Sequence, residues 1–130
     1  MHYFIKPLEL LKTFNSMNTI LQQFKEQYPE IFPEISINER YIPYSVLQHF
    51  GAYCAQNLEK DKSREILLTI NNVYQQKKLF ICNAIENEFL AEIAERLGVN
   101  DLMRQLQNMP ENLWPVYIKV LIETQKNIHQ

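Results

Sequence analysis

The fold class is decided by residues 79–97, which read LFICNAIENEFLAEIAERL. Apolar side chains recur there at steps of three and four residues, the spacing that places them on one face of an α-helix. They are Leu79, Cys82, Ile85, Phe89, Leu90, Ile93 and Leu97. We therefore predict a helix over about 78–97 that ends at Gly98, because glycine readily adopts the positive φ of a helix C-terminus.

The same spacing predicts helices along most of the chain. A first helix runs from Pro7 to Pro29, as one unit or as two if Asn15 and Ser16 interrupt it. Further helices are predicted over about 44–59, 61–74, 101–109 and 113–127, with caps at Asp61, at Asn100 or Asp101, and at Asn112. No run alternates long enough to require a strand. We predict a single all-α domain over 1–130, a compact bundle of five to six helices arranged largely as antiparallel hairpins. A helical-repeat array is the minor alternative.

Residues 29–43 form the extended connector of this scheme. Pro29, Pro33 and Pro43 prevent a continuous helix there. Ile31 and Phe32 are too apolar for a free linker, so we expect the Pro-rich connector to be ordered against the helices.

Composition and charge exclude several functions. The 130 residues carry 13 basic and 15 acidic side chains, a net charge of −2, and no segment is basic. Nucleic acid is therefore not expected as a direct ligand. The apolar runs fall far below the roughly 18 residues of a membrane span, and the N-terminus does not resemble a signal peptide. These features predict a cytoplasmic protein without membrane contact.

The sequence also lacks the motifs of common catalytic and metal sites. No phosphate-binding loop, nucleophile elbow or zinc-binding histidine spacing occurs. Cys54 and Cys82 fall in apolar helical patterns, which favours buried reduced thiols. We predict no cofactor, no metal and no enzymatic activity.

Glu86 and Asn57 interrupt the apolar faces of two predicted helices. Glu86 falls in the middle of an apolar arc about 140° wide, and a carboxylate facing a core must be paired or hydrogen-bonded. This favours a buried polar network in which a Tyr, Asn or Arg of another helix contacts Glu86. Asn57 is either its partner or, the interpretation we favour, a helix-end residue. An acid or base role for Glu86 is the enzymatic alternative.

Two sets of residues are candidates for binding a partner. Glu88, Glu92 and Glu95 follow i, i+4, i+7 spacing and share one acidic helix face. An ordinary solvated face is one interpretation, and a surface for a basic partner is the other. Tyr41 and Tyr44 lie near the connector and are either core-sealing residues or anchors of the kind found at binding hot spots. The helix over 113–127 is apolar nearly all round, so it is either central or a homodimer interface.

The run Asn83-Ala84-Ile85-Glu86-x-x-Phe89-Leu90 resembles the hallmark of a group of small bacterial helical proteins of unknown function. With Ile42-Pro43-Tyr44, Leu47, Phe50 and Tyr53, the resemblance extends over Tyr41 to Glu95. Small acidic helical proteins of this style are similar to immunity proteins, the cytoplasmic antidotes encoded beside bacterial toxins, including those of contact-dependent growth inhibition.

The leading hypothesis is a non-enzymatic protein-binding module, an immunity protein that neutralises a cognate toxin with a basic domain. Glu88, Glu92 and Glu95 would supply charge, and Tyr41 and Tyr44 would act as anchors. A homodimeric scaffold or regulatory adaptor is the second hypothesis, and an enzyme using Glu86 is the third.

Overall fold

The helix expected from residues 79–97 is present and lies at the centre of the bundle. The computed structural model describes residues 7–34 and 42–128, with side chains over 17–34 and 43–127. Its helices are α1 (Pro7–Gln27), α2 (Ile42–Gln56), α3 (Asp61–Tyr74), α4 (79–97), α5 (Leu102–Gln107) and α6 (Trp114–Ile128), with a 3-10 turn at Glu111–Leu113. The described ranges contain no strand. The prediction of an all-α bundle of five to six helices is confirmed.

Helix α4 contains a π-helical turn that the sequence analysis did not predict. The segments Leu79–Ala84 and Ala91–Leu97 are α-helical, and Ile85–Leu90 between them is π-helical. The Ala91 N–H donates to the Glu86 carbonyl five residues back, instead of four. The wider turn accommodates one extra residue, and both Ile85 and Leu90, five apart, are buried.

Helix α4 packs most extensively against α2 on one side and against α6 on the other. Gly51 of α2 permits the first of these contacts. A Cβ atom at Gly51 would lie 2.7 Å from the carbonyl oxygen of Phe89 and 3.1 Å from Cβ of Glu92. The backbones of α2 and the π-helical turn therefore approach more closely than any residue with a side chain would allow.

One connected apolar core joins all six helices. An aromatic cluster links α1 to α2, where the rings of Phe24 and Phe50 stack with centroids 4.4 Å apart. Tyr28 and Phe32 meet the Phe50 ring edge-on. Ile31 is buried, so the start of the connector lies against the helices. The rest of the connector, from residue 35 to residue 41, lies outside the described residues.

Several predicted helix boundaries are corrected by the structure. Asn15 and Ser16 do not interrupt α1. Asp61 is the first residue of α3, with extended Lys60 at the N-cap. Asp101, one of the two predicted cap positions, is the N-cap residue of α5, but it is left-handed (φ 59°) and makes no side-chain capping bond. Asn112 lies inside the 3-10 turn. The preference for capping side chains therefore identified the N-cap position at Asp101 but placed the cap of α3 one residue late, and neither helix has a side-chain capping bond.

Gly98 ends α4 with φ 65°, as predicted. Both cysteines are free thiols. Cys54 is buried and its Sγ–H donates to the Ser63 carbonyl, and burial raises its pKa to about 12. Cys82 is only half-buried, which corrects the prediction that it would be fully inside.

Within the described residues, none of the helices combines the length and apolarity that crossing a membrane requires.

Candidate functional site

A cleft opens where the first half of α4 faces the beginning of α2. Its volume is about 280 Å³, and its lining comes from Tyr44 of α2 and from Phe80, Asn83, Ala84, Asn87 and Glu88 of α4. Two of these residues, Tyr44 and Glu88, are candidates from the sequence for an anchor and for a charge that contacts a partner. They are 44 positions apart in the chain, and the contact between α2 and α4 brings them to one site.

Glu88 supplies the negative charge of the cleft. Gln48, one helical turn after Tyr44 on α2, donates from Nε2 to Glu88 Oε2 at 2.5 Å. This hydrogen bond holds the carboxylate beside α2. Gln48 is neutral, so the contact orients the Glu88 charge without cancelling it.

The other lining groups of the cleft are apolar side chains and amides. Phe80 is 47% exposed, while Ala84 is buried. Asn83 and Asn87 are exposed. The side-chain amides of Asn83 and Asn87 have no hydrogen-bond partner among the side chains that the structure describes, those of residues 17–34 and 43–127. An aromatic side chain, two amides and a carboxylate are therefore available together to a molecule that enters the cleft.

The three glutamates of the predicted acidic face have different surroundings, and their role in binding a partner stays a prediction. Glu88 lines the cleft. Glu92 is 24% exposed, pairs with Arg96 at 2.7 Å, and packs by its Cβ against Gly51. Glu95 is exposed and is not among the cleft-lining residues. Glu92 is engaged by the ion pair with Arg96 and by the close packing against α2. The i, i+4, i+7 spacing of the sequence predicted neither contact. Tyr41 lies outside the described residues.

Glu86 lies at the rim of the core between α3 and α6. Its side chain is 15% exposed. Tyr74 of α3 donates its hydroxyl to Glu86 Oε2 at 2.8 Å, and Lys119 of α6 donates to Oε1 at 2.9 Å. Burial, together with the hydrogen bond to Glu86, raises the pKa of Tyr74 to about 12. The hydrogen bond to Glu86 also raises the pKa of Lys119. Both carboxylate oxygens are therefore engaged in joining three helices.

Asn57 is not part of the Glu86 network, so grouping the two residues is corrected. It follows the last residue of α2, and its Nδ2 donates to the Tyr53 carbonyl at 3.0 Å. The side chain satisfies one of the carbonyls that a helix end leaves without a partner. This is the helix-end role that the sequence analysis favoured for Asn57.

A buried polar network that the sequence analysis missed joins α5 to α6. Gln105 Nε2 donates to the carbonyls of Gly98 and Asn100, both at 2.9 Å. The hydroxyl of Tyr117 donates to Gln105 Oε1 at 2.5 Å. Both side chains are buried, and burial raises the pKa of Tyr117. A signal was present, since Gln105 lies within the apolar stripe of Leu102, Leu106 and Met109.

Helix α6 uses one face for the core, although its sequence is apolar nearly all round. Tyr117, Val120 and Leu121 are buried, whereas Ile122 is 52% exposed. The homodimer through residues 113–127 stays a prediction.

His49 is exposed. In the part of the chain that the structure describes, no three His, Cys, Asp or Glu side chains lie close enough to hold a metal ion.

Residues 21–125 match the family model described as "Domain of unknown function (DUF7674)". The chain belongs to this family. The matched range includes every residue of the cleft and both polar networks, so these features lie inside the DUF7674 domain. No curated protein and no solved structure matches the chain.

Proposed function

We propose that this DUF7674 chain is a non-enzymatic protein-binding module, an immunity protein that binds and neutralises a cognate bacterial toxin in the cytoplasm. The observation that carries the proposal is the cleft, which Tyr44 and Glu88 line together with the exposed Phe80. Aromatic side chains beside polar groups are the usual anchors of protein interfaces. A carboxylate at such a site increases the association rate with a basic partner.

The polar groups outside the cleft support a contact function over catalysis. Glu86, the candidate acid or base, has both oxygens bound by Tyr74 and Lys119. Cys54 is buried with a pKa raised to about 12, so its reactive thiolate is disfavoured at neutral pH. Neutralising a toxin needs only steric cover of its active site and complementary charge, and the exposed Phe80 and the Glu88 carboxylate are groups suited to such a contact.

The direct test is co-expression of the chain with the product of the neighbouring open reading frame. We expect that product to be toxic alone, to be harmless with this chain, and to co-purify with it. A neighbouring product that is not toxic, or one that does not bind, contradicts the proposal.

A homodimeric scaffold or regulatory adaptor is the second candidate function, and one observation favours it. Ile122 exposes about half of its surface on α6, the helix for which the sequence left a homodimer interface open. Light scattering at high protein concentration tests it. A dimer that Ile122→Ser converts to a monomer supports this function, and a monomer at every concentration excludes it.

A further inference from the structure

The size of the cleft limits what it can bind. Its volume of about 280 Å³ falls just below the range of about 300–1,000 Å³ typical of small-molecule and cofactor pockets. It is also open on one side, because Phe80 and both asparagines remain exposed. These dimensions suit a single long side chain inserted from another protein surface.

The lining chemistry selects the kind of side chain. Glu88 offers a carboxylate whose hydrogen-bond partner, Gln48, leaves its charge uncancelled. Asn83 and Asn87 add amide oxygens, which accept N–H donors. Tyr44 and Phe80 add aromatic rings, which attract cations to their faces. An inserted acidic side chain would be repelled by Glu88, and an apolar one would cover the carboxylate charge and the two amides without offering them a hydrogen bond.

We propose that this cleft receives the guanidinium group of one arginine of the partner protein. Arginine is favoured over lysine because its planar guanidinium has five N–H donors in a fixed fork and stacks on aromatic rings. A single guanidinium therefore matches the carboxylate, the amide oxygens and the aromatic groups together. This inference rests on the proposed function and names the residue type that the toxin would contribute.

The test uses small probes and the full chain, and it needs no identified partner. N-acetyl-arginine methylamide is titrated into isotope-labelled protein, and the side-chain amide signals of Asn83 and Asn87 are followed by NMR. The corresponding derivative of citrulline keeps the planar shape without the charge, and that of lysine keeps the charge without the fork. We expect saturable shifts with arginine, affinity about threefold weaker with lysine, and about tenfold weaker with citrulline.

Two variants separate the cleft from general electrostatic attraction. Glu88→Gln and Glu95→Gln each remove one negative charge from α4, but only Glu88 lines the cleft. We expect Glu88→Gln to weaken arginine binding about three- to tenfold and Glu95→Gln to leave it unchanged. Phe80→Ser is a further variant of the cleft. Because Phe80 is exposed, this substitution should leave the fold intact, so a loss of arginine binding would not result from unfolding.

The inference is overturned if arginine produces no saturable shift, if citrulline binds as well as arginine, or if both glutamine variants weaken binding equally. Its failure is distinguishable from failure of the proposed function. If the chain captures and neutralises a toxin but any of these probe results is negative, the proposed function is supported and the inference about arginine is rejected. Specific arginine binding without a toxic partner leaves the cleft assignment and removes the immunity role.

Discussion

The Gln105–Tyr117 network and the Tyr44–Glu88 cleft place similar polar groups in opposite situations. In the network, the buried Tyr117 hydroxyl donates to the amide oxygen of Gln105, and the amide nitrogen of the buried Gln105 donates to two backbone carbonyls. In the cleft, the amides of Asn83 and Asn87 are exposed, without hydrogen-bond partners in the side chains that the structure describes. The cleft also has an exposed aromatic ring, Phe80.

The difference shows which polar residues serve the fold and which are available for contact. A satisfied buried network rigidifies a core, because breaking any bond leaves a dry polar group. Replacing a residue with an exposed amide removes few contacts, so the substitution changes the free energy of unfolding only slightly. Substitutions in the network should therefore reduce stability, and substitutions in the cleft should reduce only binding.

The largest stability effect is expected for Gln105→Ala. The variant leaves the Tyr117 hydroxyl and the carbonyls of Gly98 and Asn100 without partners and creates a small cavity. We expect the free energy of unfolding to fall by about 3 kcal/mol in urea titration. Gln107→Ala is the matched control, since Gln107 is exposed on the same helix, and it should change stability by less than about 0.5 kcal/mol. Equal effects of the two variants would contradict the network.

Gly51→Ala should have the next largest effect. The new Cβ would meet the Phe89 carbonyl at 2.7 Å, which forces α2 away from the π-helical turn. We expect a net loss of about 2 kcal/mol, because overpacking outweighs the better helix propensity of alanine. His49→Ala, at an exposed position of α2, should be close to neutral. A Gly51→Ala variant more stable than the native chain would show that the two helices do not meet this closely.

Substitution of Glu86 should have a smaller effect, because its network lies at the rim and Lys119 is exposed. We expect Glu86→Leu to cost about 1 kcal/mol, because Tyr74 and Lys119 lose their shared acceptor. Glu86→Gln keeps one acceptor oxygen and should cost less. If both variants leave thermal stability unchanged, the network does not stabilise the fold.

The same network predicts a loss of stability at high pH. The pKa of Tyr74 is raised from 10.0 to about 12 in the folded chain, so the folded state keeps a proton that the unfolded state releases. This contribution is complete below pH 10 and is lost as the pH rises from 10 towards 12. Tyr74→Phe should reduce the slope of that part of the profile, measured by thermal unfolding across the range, and the raised pKa of Tyr117 should account for part of the slope that remains. An unchanged alkaline slope in Tyr74→Phe would contradict this assignment.

The helices were predictable from sequence because burial repeats with the period of the helix. Ile66, Leu67 and Ile70 of α3, for instance, are all buried as their spacing requires. The π-helical turn at Ile85–Leu90 was not predictable, because its apolar residues Ile85, Phe89 and Leu90 follow the three- and four-residue spacing of an ordinary α-helix. The contact that marks this turn is the close approach of the Phe89 carbonyl to Gly51, and it depends on how α2 packs against α4.

The cleft was predictable only in part. Tyr44 and Glu88 were identified as binding candidates by residue type, but their meeting depends on how α2 crosses α4. Glu92 was assigned to the same surface, yet that crossing and Arg96 occupy it. Phe80, Asn83 and Asn87 were missed as site residues because nothing in local spacing distinguishes a cleft-lining side chain from any other exposed one.

The central claim, that this chain works by contact through the cleft, is tested most directly by its dissociation constant for the toxic product of the neighbouring gene. Phe80→Ser is compared with Leu68→Ser, because the two native side chains are 47% and 53% exposed and only Phe80 lines the cleft. We expect Phe80→Ser to weaken binding about tenfold or more, with Leu68→Ser unchanged and both variants folded. Equal affinity of the two variants would contradict the claim.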